Sequence, residues 1–201
     1  MFTGIITAIG TVGEARQQGD TRLRIACPYD TARIDIGASI ACSGVCLTVV
    51  ERGDGWFAVD VSGETISRTV PGQWSAGRRL NLELAMKLGD ELGGHIVTGH
   101  VDAVGTVAIR EERGGSVHLE IDAPAGMAPF IASKGSITVD GVSLTVNAVN
   151  DLPDGTARFA LNIIPHTAEV TTLGALRVGD VVNLEIDVLA RYLKRMQSLQ
   201  G

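Results

Sequence analysis

Two short frames recur in this 201-residue chain, each time with one reactive group exchanged. The run "GVCLTV" (44–49) is answered by "GVSLTV" (141–146), and "TGI" (3–5) by "TGH" (98–100). Cys46 therefore stands where Ser143 stands in the second copy, and Ile5 where His100 stands; likewise Ser43 answers Asp140, and Glu64 answers His166. A thiol or hydroxyl becomes a nucleophile when a neighbour takes its proton, and an imidazole exchanges a proton near neutral pH. A carboxylate can orient or assist either one. Identical frames with different functional groups point to two similar pockets with non-identical tasks.

Each of these groups also has a plain structural reading. Cys46 fits as a small apolar filler, and His100 as a satisfied histidine on a barrel rim. Ser143, Thr48 and Thr145 fit as the cover of a solvated strand face, and Asp140 as a turn residue. Glu64 and His166 lie before threonines in loops, as surface groups do. His95 and His118 receive no functional assignment.

Other chemistries lack their signatures. There is no G-x-S-x-G elbow, dinucleotide fingerprint or phosphate-binding loop, and four scattered histidines without an acidic cluster give no metal site. Cys27, Cys42 and Cys46 fit no zinc spacing and read as reduced thiols. The net charge of −6, with 17 scattered basic residues, argues against nucleic acid or a membrane surface as partner. No run approaches the ~18–20 uncharged apolar residues that cross a bilayer, and "MFTGIITAIGTV" has no basic leader region, so a cytoplasmic location is expected.

The elements that position these groups are themselves duplicated. "ASIACSGVCLTVV" (38–50) aligns with "GSITVDGVSLTVN" (135–147), and the 27 residues from Phe57 to Glu83 align without a gap on Phe159 to Glu185. Three matched blocks in one order mean two homologous halves. The halves join near "KLGDELGG" with the boundary at Gly93-Gly94, which predicts units at 1–92 and 93–187 and a tail at 188–201. Short β-branched runs such as "RLRIA", "VCLTVV" and "SVHLEI", bounded by Gly, Asp or Ser, read as strands. Their number and even spacing predict an all-β fold with one small antiparallel barrel per half. Ser43-Gly44 and Asp140-Gly141 are hairpin turns. Beyond them, alternation sends Val45, Leu47 and Val49 to the core and Cys46 and Thr48 outward, with Val142, Leu144 and Val146 opposing Ser143 and Thr145 in the same way. The tail breaks the pattern: Leu189, Tyr192, Leu193, Met196 and Leu199 fall at helical spacing. Such a helix docks on its own barrel or on copies of itself, and periodicity does not choose.

Taken together, "MFTGI", "GVCLTV", "LGDELGGHIVTGHVD", "DGVSLTVN" and "IPHTAEVTTLG" resemble the riboflavin synthase α-chain family over essentially the whole length. The resemblance implies two six-stranded Greek-key barrels in tandem, a C-terminal helix, and a homotrimer built around those helices. It implies a dismutation without metal or cofactor: two 6,7-dimethyl-8-ribityllumazine molecules yield riboflavin and 5-amino-6-ribitylaminouracil by transfer of a four-carbon unit. The site would lie between the first barrel of one subunit and the second barrel of its neighbour.

Carried over by motif position, the resemblance implies a first pocket of Gly4, Ile5, Ile6, Ser39, Cys46, Leu47, Thr48, Asp60, Val61, Ser62, Gly63, Glu64 and Thr65. The second would comprise Gly99, His100, Val101, Lys134, Ser143, Leu144, Thr145, Asn162, Ile163, Ile164, Pro165, His166 and Thr167. Backbone groups at strand edges would bind the uracil-like edge, and hydroxyls with Glu64 the ribityl chain. Cys46, Ser143 and His100, assisted by Asp140, would supply the nucleophile and move the protons. Two departures are minor: Ser43 stands where many members have Asn, and Leu84 where Arg is common. The rival of the same fold is a non-catalytic lumazine- or flavin-binding antenna protein, whose second half is degenerate. A flavin-dependent reductase would need a dinucleotide-binding α/β domain, for which no sequence is present.

Overall fold

β-branched alternating runs become strands wherever a glycine or turn residue ends them, and the two halves do this in parallel. A computed structural model describes residues 1–199. In the first half the strands are β1 (Ala8–Gln18), β2 (Asp20–Ala26), β3 (Ser39–Cys42), β4 (Val45–Gly53), β5 (Trp56–Val61) and β6 (Arg79–Leu84). They close into a six-stranded antiparallel barrel in the order β1-β2-β5-β4-β3-β6, with β6 returning to β1.

The second half contains β7 (Ala103–Arg113), β8 (Ser116–Ala123), β9 (Ser136–Val139), β10 (Val142–Thr145), β11 (Ala148–Asp151), β12 (Ala157–Ile163) and β13 (Val181–Ile186). Its order, β10-β9-β13-β7-β8-β12-β11, is that of the first barrel with one strand cut in two. β4 absorbs a register shift between Val49 and Glu51, whereas the second copy breaks at the matching Val146-Asn147. The second half thus follows the expected six-strand path as a seven-stranded half-barrel sheet, whose ends, β10 and β11, are joined through those two residues. Bulges in β1 between Val12 and Glu14 and in β7 between Val107 and Ile109 bend both sheets at equivalent points.

Each barrel encloses its own core. Phe57, Leu80 and Leu82 are fully buried in one, and the equivalent Phe159, Val182 and Leu184 in the other. Full burial of such a side chain is worth about 1.5–3 kcal/mol, so the duplicated apolar positions hold the duplicated shape. Short helices follow the fifth strand of each copy: α1 (Gly63–Arg68), capped by the Ser62 side chain on the Thr65 N–H, and α2 (Pro165–Val170), opened by proline.

The barrels meet through their hairpin turns. Ser43 and Gly44 have φ of 45° and 82°, Asp140 and Gly141 46° and 82°, the type I′ signature. The turns abut so closely that a Cβ on Gly44 would lie 2.9 Å from the Gly141 nitrogen. Asn81 donates its side-chain N–H to the Asp140 carbonyl, and Asn183 to the Ser43 carbonyl, both at 2.9 Å.

The tail forms α3 (Val188–Gln197), capped by the Asp187 carboxylate on the Leu189 N–H and tied to the second barrel by Arg191 and Asp102 at 2.8 Å. Positions 200 and 201 of the expected 188–201 segment lie outside the described residues. No described residue of α3 is buried, and Leu189, Tyr192, Leu193, Met196 and Leu199 are all exposed. The helix therefore does not lay its apolar face on its own barrels. Among the described residues no helix is long and apolar enough to cross a membrane.

Candidate active site

The predicted alternation places the reactive groups. In β4, Val45, Leu47 and Val49 are buried while Cys46 is half-buried and Thr48 exposed; in β10, Val142 and Leu144 pack into the core while Ser143 and Thr145 face out. Cys46 lies directly across the hairpin from Ala41, and Ser143 from Thr138.

What covers those faces is an exchange between halves. The N-terminal arm and the interdomain segment pair through Phe2 and Val97, whose N–H and C=O groups bond reciprocally at 2.8 and 3.0 Å. Each Thr-Gly loop is anchored on its own half by a buried glutamate. Glu83 accepts from the Thr3 N–H and hydroxyl, both at 2.7 Å, and from Gly4 N–H at 3.0 Å; Glu185 accepts in the same way from Thr98, Gly99 and His100 N–H. The glycine then reaches the opposite barrel. Gly4 carbonyl accepts the Ser143 N–H at 2.8 Å, and Gly99 carbonyl accepts the Cys46 N–H at 2.8 Å.

This corrects the expected grouping. Gly4, Ile5 and Ile6 belong with Ser143, not with Cys46, and Gly99, His100 and Val101 belong with Cys46. Ile6 is buried in the core of the second barrel, and Val101 packs on that of the first. The physical reason is close approach. Both glycines adopt positive φ, 76° and 78°, and a Cβ there would meet the Cβ of Ser143 or Cys46 at 2.6 Å.

The surroundings of Cys46 and Ser143 differ in chemistry. Around Cys46 the cover is apolar, with Phe2, Ala41 and Val97 clustered against the thiol and the His100 side chain exposed at the rim. Over Ser143 lies a histidine to which the sequence assigned no role. His95 places Nδ1 2.7 Å from Ser143 Oγ and Nε2 3.2 Å from Thr138 Oγ1. Burial lowers its affinity for a proton, against the opposing charge of Asp187. The ring fits because Gly94 precedes it: a Cβ there would fall 2.7 Å from Ser143 Cβ.

Other expected site residues are placed differently. Asp140 does not join Ser143. Its buried carboxylate accepts the Asn183 N–H at 2.8 Å and lines a separate cavity of about 300 Å³ between the barrels, with Ser43, Gln73 and Arg78. Burial raises its pKa to about 7, against the Asn183 hydrogen bond and the Arg78 charge. Asp60 is paired with Arg22 on the outer barrel wall, and exposed Glu64 with Arg68 along α1. Leu47, Val61 and Ile163 turn their side chains into the cores, leaving only backbone for a ligand. Ser39 is half-buried beside Thr48, its cross-strand partner. Ser62, Gly63 and Thr65 open α1, as Ile164, Pro165, His166 and Thr167 open α2, and exposed Asn162 leads into them. Lys134 is exposed and holds a strained positive φ of 67°.

Sequence reasoning missed Glu83, Glu185, His95 and Thr138. The glutamates had a signal, the repeated "NLE" of 81–83 and 183–185, in which a charged group recurs on a strand between apolar neighbours. Burial raises the pKa of both, while the loop N–H groups stabilise their charged forms. His95 lies 48 positions from Ser143, and no spacing connects them.

Comparison with known proteins gives one consistent result. The lumazine binding domain family matches twice, at residues 3–85 and 98–187. The riboflavin synthase of Brucella abortus (strain 2308) is 48% identical over 206 residues, covering the whole of both chains. That of Mycobacterium bovis is 45% identical over 203 residues, again covering both chains fully. Among solved structures, LumP complexed with 6,7-dimethyl-8-(1'-D-ribityl) lumazine superposes with a TM-score of 0.79 at 26% identity, covering 92% of this chain and 98% of its own. The LumP complex with riboflavin gives 0.81, also at 26% identity, over 92% and 99%.

Proposed function

The chain belongs to the riboflavin synthase family, and from that premise we propose that it converts two molecules of 6,7-dimethyl-8-ribityllumazine into riboflavin and 5-amino-6-ribitylaminouracil. Four carbons leave one lumazine and join the other, so the atoms balance without a cofactor. The observation that carries this reading is the reciprocal exchange, Cys46 N–H to Gly99 carbonyl and Ser143 N–H to Gly4 carbonyl. It sets matching loops over the outward strand faces of Cys46 and Ser143, which supports a pair of related binding sites for two identical ring systems.

The clefts are unlike because the molecules they hold end differently. In one pocket an acidic exocyclic methyl of lumazine loses a proton and becomes a carbanion delocalised into the ring. In the other the ring accepts a nucleophile and is opened to attack. Cys46 with His100 serves one side, Ser143 with His95 the other. Free backbone at the strand and helix starts near 60–65 and 162–167 takes the uracil-like edge, and nearby hydroxyls take the ribityl chain. Holding two rings at near-attack distance supplies roughly 7–11 kcal/mol, the larger part of the acceleration.

One cleft from each of two chains makes a complete site when copies assemble, and the exposed apolar face of α3 supports a homotrimer built on that helix. On this reading 1–92 and 93–187 are the lumazine-binding units and 188–201 the oligomerisation segment. The test is incubation of the purified protein with 6,7-dimethyl-8-ribityllumazine. Riboflavin and the pyrimidine form in equal amounts with multiple turnovers; a stable one-to-one complex without product would assign the chain to the antenna proteins instead.

A further inference from the structure

Thr138 and Ser143 face each other across β9 and β10, and the ring of His95 bridges their hydroxyls. Ser143 is half-buried with one side open, whereas Thr138 is 1% exposed. Among the described residues, the only hydrogen-bond partner of the Thr138 hydroxyl is His95 Nε2. That restriction decides where the ring proton sits. If Nε2 carried it, Thr138 Oγ1 would accept and its own buried O–H would have no acceptor, a loss of about 1–3 kcal/mol. If Nε2 is bare, Thr138 donates to it, the proton resides on Nδ1, and Nδ1–H donates to Ser143 Oγ. All three groups are then satisfied.

The first barrel has no counterpart of this arrangement. Ala41 occupies the position of Thr138 and offers no hydroxyl. We infer that Thr138 is a positioning residue that holds His95 in its Nδ1–H form, so that Ser143 accepts a hydrogen bond from the imidazole and turns its own O–H toward the bound lumazine. Ser143 then acts as a donor to the ring edge. His95 cannot draw off its proton, because the only nitrogen facing it is already protonated. The inference deepens the proposed exchange reaction and rests on it for the identity of the ligand.

The test is a long-range ¹H–¹⁵N spectrum of the full-length protein with ¹⁵N-labelled histidine, together with steady-state kinetics on the lumazine. In wild type, His95 shows a pyrrole-type Nδ1 and a pyridine-type Nε2. Thr138→Val removes the donor, so a Nε2–H population emerges and kcat falls about 10-fold with KM within about 2-fold. Thr138→Ser restores the wild-type spectrum and rate. A wild-type spectrum with the proton on Nε2 overturns the assignment, whether or not the variants fold. A Thr138→Val protein whose His95 signals match wild type overturns it equally. If wild type shows the Nδ1–H form but makes no riboflavin, the functional reading fails while the role of Thr138 in fixing the tautomer stands.

Discussion

Cys46 and Ser143 mark where the two copies of one frame have diverged, and their surroundings amplify the difference. Cys46 is pressed between apolar side chains, while Ser143 sits under a histidine. In the proposed reaction, removing either group would leave both rings oriented. Cys46→Ala and Ser143→Ala should therefore each slow riboflavin formation by about 10- to 100-fold without abolishing it, measured by initial rates at saturating lumazine. Asp140 illustrates the opposite outcome, a candidate for chemistry that the fold uses at a seam. Its pKa is raised from 3.8 to about 7, so the folded protein binds this proton over a window in which the unfolded chain has released it. Stability from this group must fall as pH rises from about 4 to about 7. Asp140→Ser keeps the bond to the Asn183 N–H, as Ser43 does for Asn81 in the other copy, and carries no charge. Urea unfolding at pH 5 and pH 8 should show the variant gaining on wild type at the higher pH.

The Thr-Gly loops are the elements on which both proposed binding sites depend. Each is fixed at its base by a buried glutamate of its own half and delivers a carbonyl to the other half. Gly99 has no space for a side chain and a φ that disfavours one. Gly99→Ala should cost about 2 kcal/mol or more, lowering the midpoint of thermal unfolding, and should disturb the Cys46 cleft more than the Ser143 cleft. Gly4→Ala should do the reverse. Titration of a non-reacting lumazine analogue, read by fluorescence, distinguishes the two: each variant should lose one of two binding steps.

For the whole molecule, the unmatched feature is α3. It stands on the second barrel through Asp102 and Arg191 and presents Tyr192, Leu193 and Met196 to solvent. An exposed apolar stripe of that kind marks an interaction surface, which is where the proposed assembly would form. If the proposed homotrimer is built on this helix, Leu193→Asp should shift the sedimentation of the protein from trimer to single chain while leaving its circular dichroism intact. Riboflavin formation should fall with it and recover in part at high protein concentration, because in the proposed assembly each complete site would draw one half from each of two chains.

Composition, alternation and duplication are properties of the sequence alone, and they determined the all-β class, the two homologous halves, the I′ turns and which side chains leave each barrel. These features are local: a strand's period of two and a turn's need for positive φ are written in consecutive residues. The motifs likewise settled the family. The crossing of the two arms was legible only in the tertiary structure, because motif order along the chain does not say which barrel a loop will touch. Neither could it reveal the fourth strand broken at Val146-Asn147, the glutamates beneath the loops, or His95 over Ser143. Those depend on groups 40 to nearly 90 positions apart being packed until a hydrogen bond has only one partner, and close packing of that kind exists only once the whole chain has folded.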